Sequence, residues 1–493
     1  MIKSWTLENF KSVKISNQLE FAPLTIFAGA NSSGKSTILQ SILLTAQTLQ
    51  NSVATKSIIL NGHISKFGTF NDILSNGAKK RSITIGFELQ PLRGGADYDF
   101  FMYSRPYFNA NELKSVCCEF SFTDIINDVA SDLHKLQPRL EKSYVKATRK
   151  GETKSEEVEI HRTNKDLAER AVELDLIIDN VIDIGTLEFE VKKPTKVTDI
   201  GYRKDYNPDN PSIKYVGAVL SHFVPRFLTV CYDQIEEEKI QFLTFLSNKN
   251  PDDRGDSQRL FKKYSNKLII KELTNILKEV KKELPLSKDA KPTLFADVQG
   301  FTETITFNNL VLLKSRRDIL ARNFFQKVDE NRTFLKSLIA TDFDTENKLS
   351  VSFEFYDYVE YLDYFFKRHL KYLGPLRDEP KSVYPLSGTS DPKDIGFKGE
   401  NTAAVLEANK NTHVKYITPA SLLSNYITVE VTEDTLINAV LDWLDYMGIA
   451  NKVDTADIGK LGHELKISTQ NSSYLHDLTH VGVGVSQVLP ILV

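Results

Sequence analysis

Gly29-Ala30-Asn31-Ser32-Ser33-Gly34-Lys35-Ser36 constrains this chain more than any other stretch, because it has the spacing GxxxxGK[ST]. At ordinary residue frequencies, 493 residues would show on the order of 0.02 such matches by chance. The apolar run Leu24-Thr25-Ile26-Phe27-Ala28 precedes it and predicts a short buried parallel strand. Behind it, Ile38, Leu39, Ile42, Leu43, Ala46 and Leu49 recur at the spacing of one helix face. Strand, glycine loop and helix is the context the motif requires. Gly29 and Gly34 have no Cβ, so the backbone between them can wrap closely around a ligand. Successive N–H groups at the positive end of a helix then form an anion cradle. Lys35 supplies a mobile charge for β- and γ-phosphates, and the Ser36 hydroxyl suits a magnesium ion bridging those oxygens. Asn31, Ser32, Ser33 and Thr37 complete the loop. The stretch implies a site for ATP with Mg2+; a glycine turn with an incidental lysine is the plainer alternative.

Composition narrows the rest. Gly (23) and Pro (17) are too sparse for a low-complexity or fibrous chain, and the length suggests two to four domains. No run of 18 apolar residues predicts a membrane span. The charged start, Met1 to Phe10, lacks an apolar leader core. Cys117, Cys118 and Cys231 form neither a CxxC pair nor a metal spacing. A cytoplasmic protein is the expectation. With 62 basic and 65 acidic residues, contact with nucleic acid must come from a local patch.

The opening Leu7-Glu8-Asn9-Phe10-Lys11-Ser12, followed by Pro23-Leu24-Thr25-Ile26 into the loop, resembles the ABC-type heads of RecF, Rad50 and SMC-type ATPases. Within that group the chain is most similar to AAA15-type, OLD-like ATPases of bacterial anti-phage defence. Leu60-Asn61-Gly62 with Phe67-Gly68-Thr69-Phe70-Asn71-Asp72-Ile73-Leu74 resembles the segment after their first helix. Tyr372-Leu373-Gly374-Pro375-Leu376-Arg377, then Gly399-Glu400-Asn401-Thr402, resembles their "GPLR" region. Val481-Gly482-Val483-Gly484-Val485-Ser486-Gln487-Val488-Leu489-Pro490 resembles their form of the ABC signature, though not in the order LSGGQ. The resemblance implies an α/β fold, a P-loop ATPase head with an antiparallel β lobe and a mainly helical insertion. It implies that Lys11 joins Lys35 at the nucleotide, and that Gly484, Ser486 and Gln487 face nucleotide held by an opposing head. Ser486 would then cap the signature helix and Pro490 would sit in its first turn. A plain glycine loop before a buried helix is the alternative for that segment.

Heads of this kind carry their acidic magnesium strand after the signature helix, and Val493 follows that helix start closely. The expectation is a truncated chain or one that hydrolyses poorly. Leu174-Asp175-Leu176-Ile177-Ile178-Asp179 looks superficially like such a strand but precedes the signature. Asp179 is more simply the end of an ordinary strand or helix.

Residues 82–89, 116–122 and 351–355 alternate like half-exposed strands. From 124 to 345 the pattern reads as mainly helical, broken at Tyr206-Asn207-Pro208-Asp209-Asn210-Pro211 and Asn250-Pro251-Asp252-Asp253. Sustained heptads are missing, which argues against long coiled-coil arms. The divisions expected are 1–123 and 346–493 for the two parts of the head, with 124–345 inserted. Residues 254–292 hold eleven basic and five acidic residues, and so offer either a DNA-binding surface or a solvated helix face. Arg377 suits a phosphate or a structural ion pair equally. Nine histidines form no HxH, HExxH or HNH-like cluster, so nuclease or toxin chemistry would belong to a partner protein. The reading is an ATPase that dimerises through its heads and controls a DNA-directed effector. The rivals are a nucleotide-stabilised scaffold with little hydrolysis and a RecF-like repair ATPase.

Overall fold

Strand β1 (Ile2–Phe10) buries Trp5 and Leu7 on one face and begins the largest sheet of the protein. The computed structural model describes residues 1–16, 18–31, 33–91, 113–126, 129–130, 135–151, 155–176, 184–194, 213–248, 254–283, 305–316, 319–339, 346–352, 356–386, 392–423, 431–469 and 474–493. They form two units, Met1–Lys367 and Arg368–Val493.

In the first unit β1 pairs on one side with β2 (Val13–Ile15) and β3 (Leu19–Glu20), and on the other with β4 (Ser82–Leu89). The sheet continues through β5 (Leu113–Thr123), β6 (Arg139–Arg149), β7 (Ser155–Arg162) and β8 (Phe189–Pro194), every pair antiparallel. Alternation explains its buried face. Ile83, Ile85 and Phe87 stand opposite Phe122, Phe120 and Cys118, and all six are buried. Trp5 stacks on Phe87 at 5.0 Å, Phe87 meets Phe120 at 5.9 Å, and Phe120 meets Phe223 at 4.5 Å. This aromatic chain links the large sheet to a second one, β9 (Lys214–Ser221), β10 (Val224–Asp233) and β11 (Asn347–Ser352), also antiparallel.

Two strand expectations hold, at 82–89 and within 113–123. The third forms as Asn347–Ser352, and 353–355 lie outside the described residues. The helical reading of 124–233 is corrected: that stretch contributes β6 to β10. Its β-branched and aromatic residues, such as Tyr144, Val145, Val158 and Ile160, alternate against neighbouring strands. The alternation was obscured by the interspersed Lys and Glu of their exposed faces. The breaks at 206–211 and 250–253 lie outside the described residues.

Helices α1 (Lys35–Leu49), α2 (Phe70–Ile73) and α3 (Leu167–Glu173) lie between these strands, and helices dominate from Gln234 onward. Among them are α4 (Gln234–Ser247), α5 (Arg254–Tyr264), α6 (Lys267–Glu283), α7 (Phe307–Ser315), α8 (Ile319–Glu330) and α9 (Arg332–Ser337). Their shared core includes Phe242, Leu246, Leu273, Ile276, Leu313 and Phe324. The longest helix among the described residues, α6, has 17, in keeping with the absence of heptads.

Glu238 ties α4 to α5. Its carboxylate is 4% exposed as a residue and accepts from Arg259 at 2.8 Å, Lys263 at 2.6 Å and the Tyr264 hydroxyl at 2.6 Å. Burial alone would raise its pKa, but the hydrogen bonds from Lys263, Tyr264 and Arg259 outweigh burial and hold it at about 2. A depressed carboxyl stabilises the fold above its ordinary value near 4.5, and that contribution is lost as pH falls from there toward 2. Helical circular dichroism followed from pH 7 to 2 is expected to fall across that window. In Glu238→Gln the same step should shrink, and an undiminished step would contradict this assignment.

The second unit carries helix α10 (Thr402–Asn409), hairpin β12 (His413–Ile417) and β13 (Val431–Thr435), and helix α11 (Leu436–Tyr446). The three-stranded sheet β14 (Lys452–Asp457), β15 (His463–Ser468) and β16 (His476–Asp477) precedes helix α12 (Val483–Leu492). Leu406, Val440, Leu444, Leu465, Ile467 and Leu489 form its core.

Candidate functional site: a glycine cradle at the first helix

Helix α1 (Lys35–Leu49) begins where the motif ends, with Gly34 as N-cap at φ 91°, a left-handed conformation that favours glycine. A Cβ there would stand 3.0 Å from the Ser12 hydroxyl, so chain curvature and close approach both call for glycine. No side chain caps this helix and its first turn carries no acid, which leaves the N–H groups of an exposed turn at the positive end of the dipole. Lys35 is folded over the loop, its ammonium donating to the carbonyls of Gly29 at 2.8 Å and Ala30 at 2.6 Å. Asn31, Ser33 and Ser36 are exposed and Thr37 is buried. Ser32 lies outside the described residues.

The turn between β1 and β2 closes the other wall. Lys11 has φ 49°, which turns the chain sharply after Phe10 and places Ser12 against the helix start. The Ser12 and Thr37 hydroxyls are 3.2 Å apart. Lys11 donates to Gln40 Oε1 at 2.8 Å and lies 5.0 Å from the Phe67 ring centre. Burial lowers its pKa, and nearby Asp72 partly offsets this. Lys11, Ser12, Ser33, Gly34, Lys35, Ser36 and Thr37 thus line one cleft of about 240 Å³. Two lysines and four hydroxyls face it, with no carboxylate among these lining residues. Ser12 was the contact that sequence reasoning overlooked; only its place beside Lys11 in the opening motif could have signalled it.

Trp5 and Gln47 hold this arrangement from behind. The Trp5 indole donates to Ser41 Oγ at 2.9 Å, fixing α1 on β1. Gln47, 1% exposed, donates to the Ile59 carbonyl at 2.5 Å and accepts from the Ser65 amide at 3.0 Å. Asn61 clasps Gly68 through both its donor and its acceptor, while Asp72 caps Thr69. The segment 57–74 is therefore knit onto α1 and onto the lysine turn.

Three expectations are corrected. Leu24–Ala28 joins no strand ladder, and Leu24 and Ile26 are 78% and 79% exposed. A strand needs a partner. Here β1 is already flanked on both sides, and no parallel strand stands beside the run among the described residues. In the second unit α12 starts at Val483 with Gly482 as N-cap, so Ser486 is not the cap. Ser486 is buried at 8% exposure, beside Asp378, Lys398, Thr402 and Pro490. Pro490 sits well inside the helix rather than in its first turn. It is accommodated because Gly399, at φ 76°, leaves room where a Cβ would approach the proline ring to 2.5 Å. Gly484 is exposed and Gln487 partly so. Arg377 turns back onto the Gly374 carbonyl of its own loop. Leu174 ends the helix Leu167–Glu173, and Asp179 lies outside the described residues.

The residues of the cleft fit a triphosphate: an uncapped helix start, a glycine turn and two ammonium groups. They fit magnesium only in company with it. Among the described residues no three His, Cys, Asp or Glu side chains gather to hold a metal, so Ser36 would share the ion with phosphate oxygens and water. A model of the AAA ATPase domain matches residues 1–359. The chain belongs to that family. This AAA ATPase domain includes the cradle, the lysine turn and the two larger sheets of the first unit, while the GPLR-like and signature-like stretches fall beyond the matched residues. It is a nucleotide-binding ATPase domain, and none of its described helices is long and apolar enough to cross a membrane. No curated protein matches the chain.

Proposed function

We propose that the chain is an ATP- and magnesium-dependent switch protein of the cytoplasm that dimerises through its ATPase heads and controls a DNA-directed effector, a nuclease or toxin partner, in anti-phage defence. The uncapped glycine cradle with Lys35 over it carries the nucleotide part of this reading. In it, Gly29, Asn31, Ser33, Gly34, Ser36 and Thr37 surround the phosphates. Lys35 and Lys11 neutralise them, and Ser36 joins the magnesium ion. The exposed start of α12 at Gly482 and Gly484, with Gln487, is the surface offered to nucleotide of an opposing head. The family resemblance supports the dimer and the defence setting. Sedimentation velocity with and without ATP and magnesium tests it: nucleotide should convert monomer to dimer, and Lys35→Ala should stay monomeric. An unchanged sedimentation coefficient in saturating ATP would sink the dimer.

One observation favours a second reading. Among the described residues that line the cleft none is a carboxylate able to orient an attacking water, which favours binding over hydrolysis. As a nucleotide-held scaffold, the protein would dimerise in ATP yet release no phosphate above background. Phosphate release at saturating ATP separates the two.

A further inference from the structure

Helix α6 sorts its side chains by kind around its axis. At 3.6 residues per turn, Lys267, Lys271, Lys278 and Lys282 fall within an arc of about 60°, with Lys281 on its flank. The buried Ile269, Leu273, Ile276, Leu277 and Val280 occupy the opposite side. Glu272, Glu279 and Glu283 lie together on one shoulder between them. Two of these acids are engaged: Lys327 of α8 contacts Glu283 at 2.6 Å and Glu279 at 3.5 Å. The five lysines are exposed, and among the described residues Lys267, Lys271, Lys278 and Lys282 pair with no carboxylate. The other basic residues of 254–292 divide differently. Arg259 and Lys263 are committed to Glu238, and Lys288 and Lys291 lie outside the described residues.

We infer that this lysine row is a docking surface for the sugar-phosphate backbone of duplex DNA, read without sequence preference. The claim deepens the DNA-directed part of the proposed function and rests on it. From Lys267 to Lys282 the row runs about 22 Å at 1.5 Å per residue, a length over which duplex DNA presents roughly a dozen phosphates, one per about 1.7 Å. A net charge of −3 for the whole chain makes the row stand out as a local field. A membrane surface fits poorly, because the apolar side of α6 is spent on the protein core. Single strands fit poorly too. They are held by stacking on exposed aromatic rings, and the two aromatics of α5 and α6, Phe261 and Tyr264, are buried.

The test is fluorescence anisotropy of a labelled 30-base-pair DNA duplex with the full chain, titrated at several salt concentrations. Four phosphate contacts predict a log–log salt slope near −3.6, or about a 100-fold loss of affinity between 50 and 200 mM salt. Replacing Lys267, Lys271, Lys278 and Lys282 with Gln should flatten the slope by about 0.9 for each lysine, and the four Arg replacements should preserve it. ATP binding should be unchanged in both variants, so that loss here is distinguishable from failure of the nucleotide site. The inference is overturned if the quadruple Gln variant keeps the wild-type slope, or if wild type fails to bind the duplex at 50 mM salt. Tighter binding of single-stranded DNA, duplex RNA or anionic vesicles than of the DNA duplex would also overturn it.

Discussion

Lys35→Ala is expected to weaken ATP binding by about 30- to 1,000-fold, measured by competition against a fluorescent nucleotide. The ammonium is the one group of the motif that can follow a phosphate, and losing one partner of such a charge-assisted pair costs about 2–4 kcal/mol. Its contacts to the Gly29 and Ala30 carbonyls are exposed, so they contribute little to folding. The melting temperature without nucleotide should therefore stay within about 2 °C of wild type, and the protection that ATP gives the wild type should vanish. A variant that still gains thermal stability from ATP would mean that the cradle alone, or Lys11, holds the phosphates.

Trp5→Ala should have the largest effect on stability, about 3–5 kcal/mol, as for other deletions of a large buried ring. Trp5 is fully buried, stacks on Phe87 and donates to Ser41. Its removal opens a cavity at the junction of β1, β4 and α1, and takes away the indole donor that Ser41 accepts from. The melting temperature of the first unit should fall by roughly 5–15 °C. ATP affinity should fall with it, because α1 would lose its anchor on the sheet. Trp5→Phe should recover most of the stability through retained ring contacts. A loss of under about 1 kcal/mol in Trp5→Ala would show that α1 is held chiefly by Gln47 and the 57–74 segment.

The parts of this protein that could be read from its sequence are those set by short-range geometry. A glycine with φ 91°, a helix that follows it at once and an alternating strand such as Ser82–Leu89 are each set by residues close together in the sequence. Helix α1 fits its apolar spacing, although Leu39 points to solvent at 44% exposure. What could not be read depends on partners distant in sequence. Leu24–Ala28 is apolar enough for a buried strand, but a strand exists only beside another. Residues 139–162 intersperse lysines and glutamates among their apolar residues, which hid a pair of long strands inside what read as a helical stretch. In the signature-like segment the local rule chose the wrong cap. Serine is the better capping residue in general, but Ser486 is buried beside Asp378, Lys398 and Thr402, and the helix starts one turn earlier at Gly482. Lys11 and Ser12 reach the cleft only because a hairpin turn delivers them, a fact about β1 and β2 rather than about the glycine motif.

Calorimetric titration of ATP with magnesium into the full chain bears most directly on the cradle. Saturable heat with one nucleotide per chain is predicted, lost on Lys35→Ala and absent for adenosine, which lacks the phosphates. No heat for ATP, or equal heat for ATP and adenosine, would contradict the account.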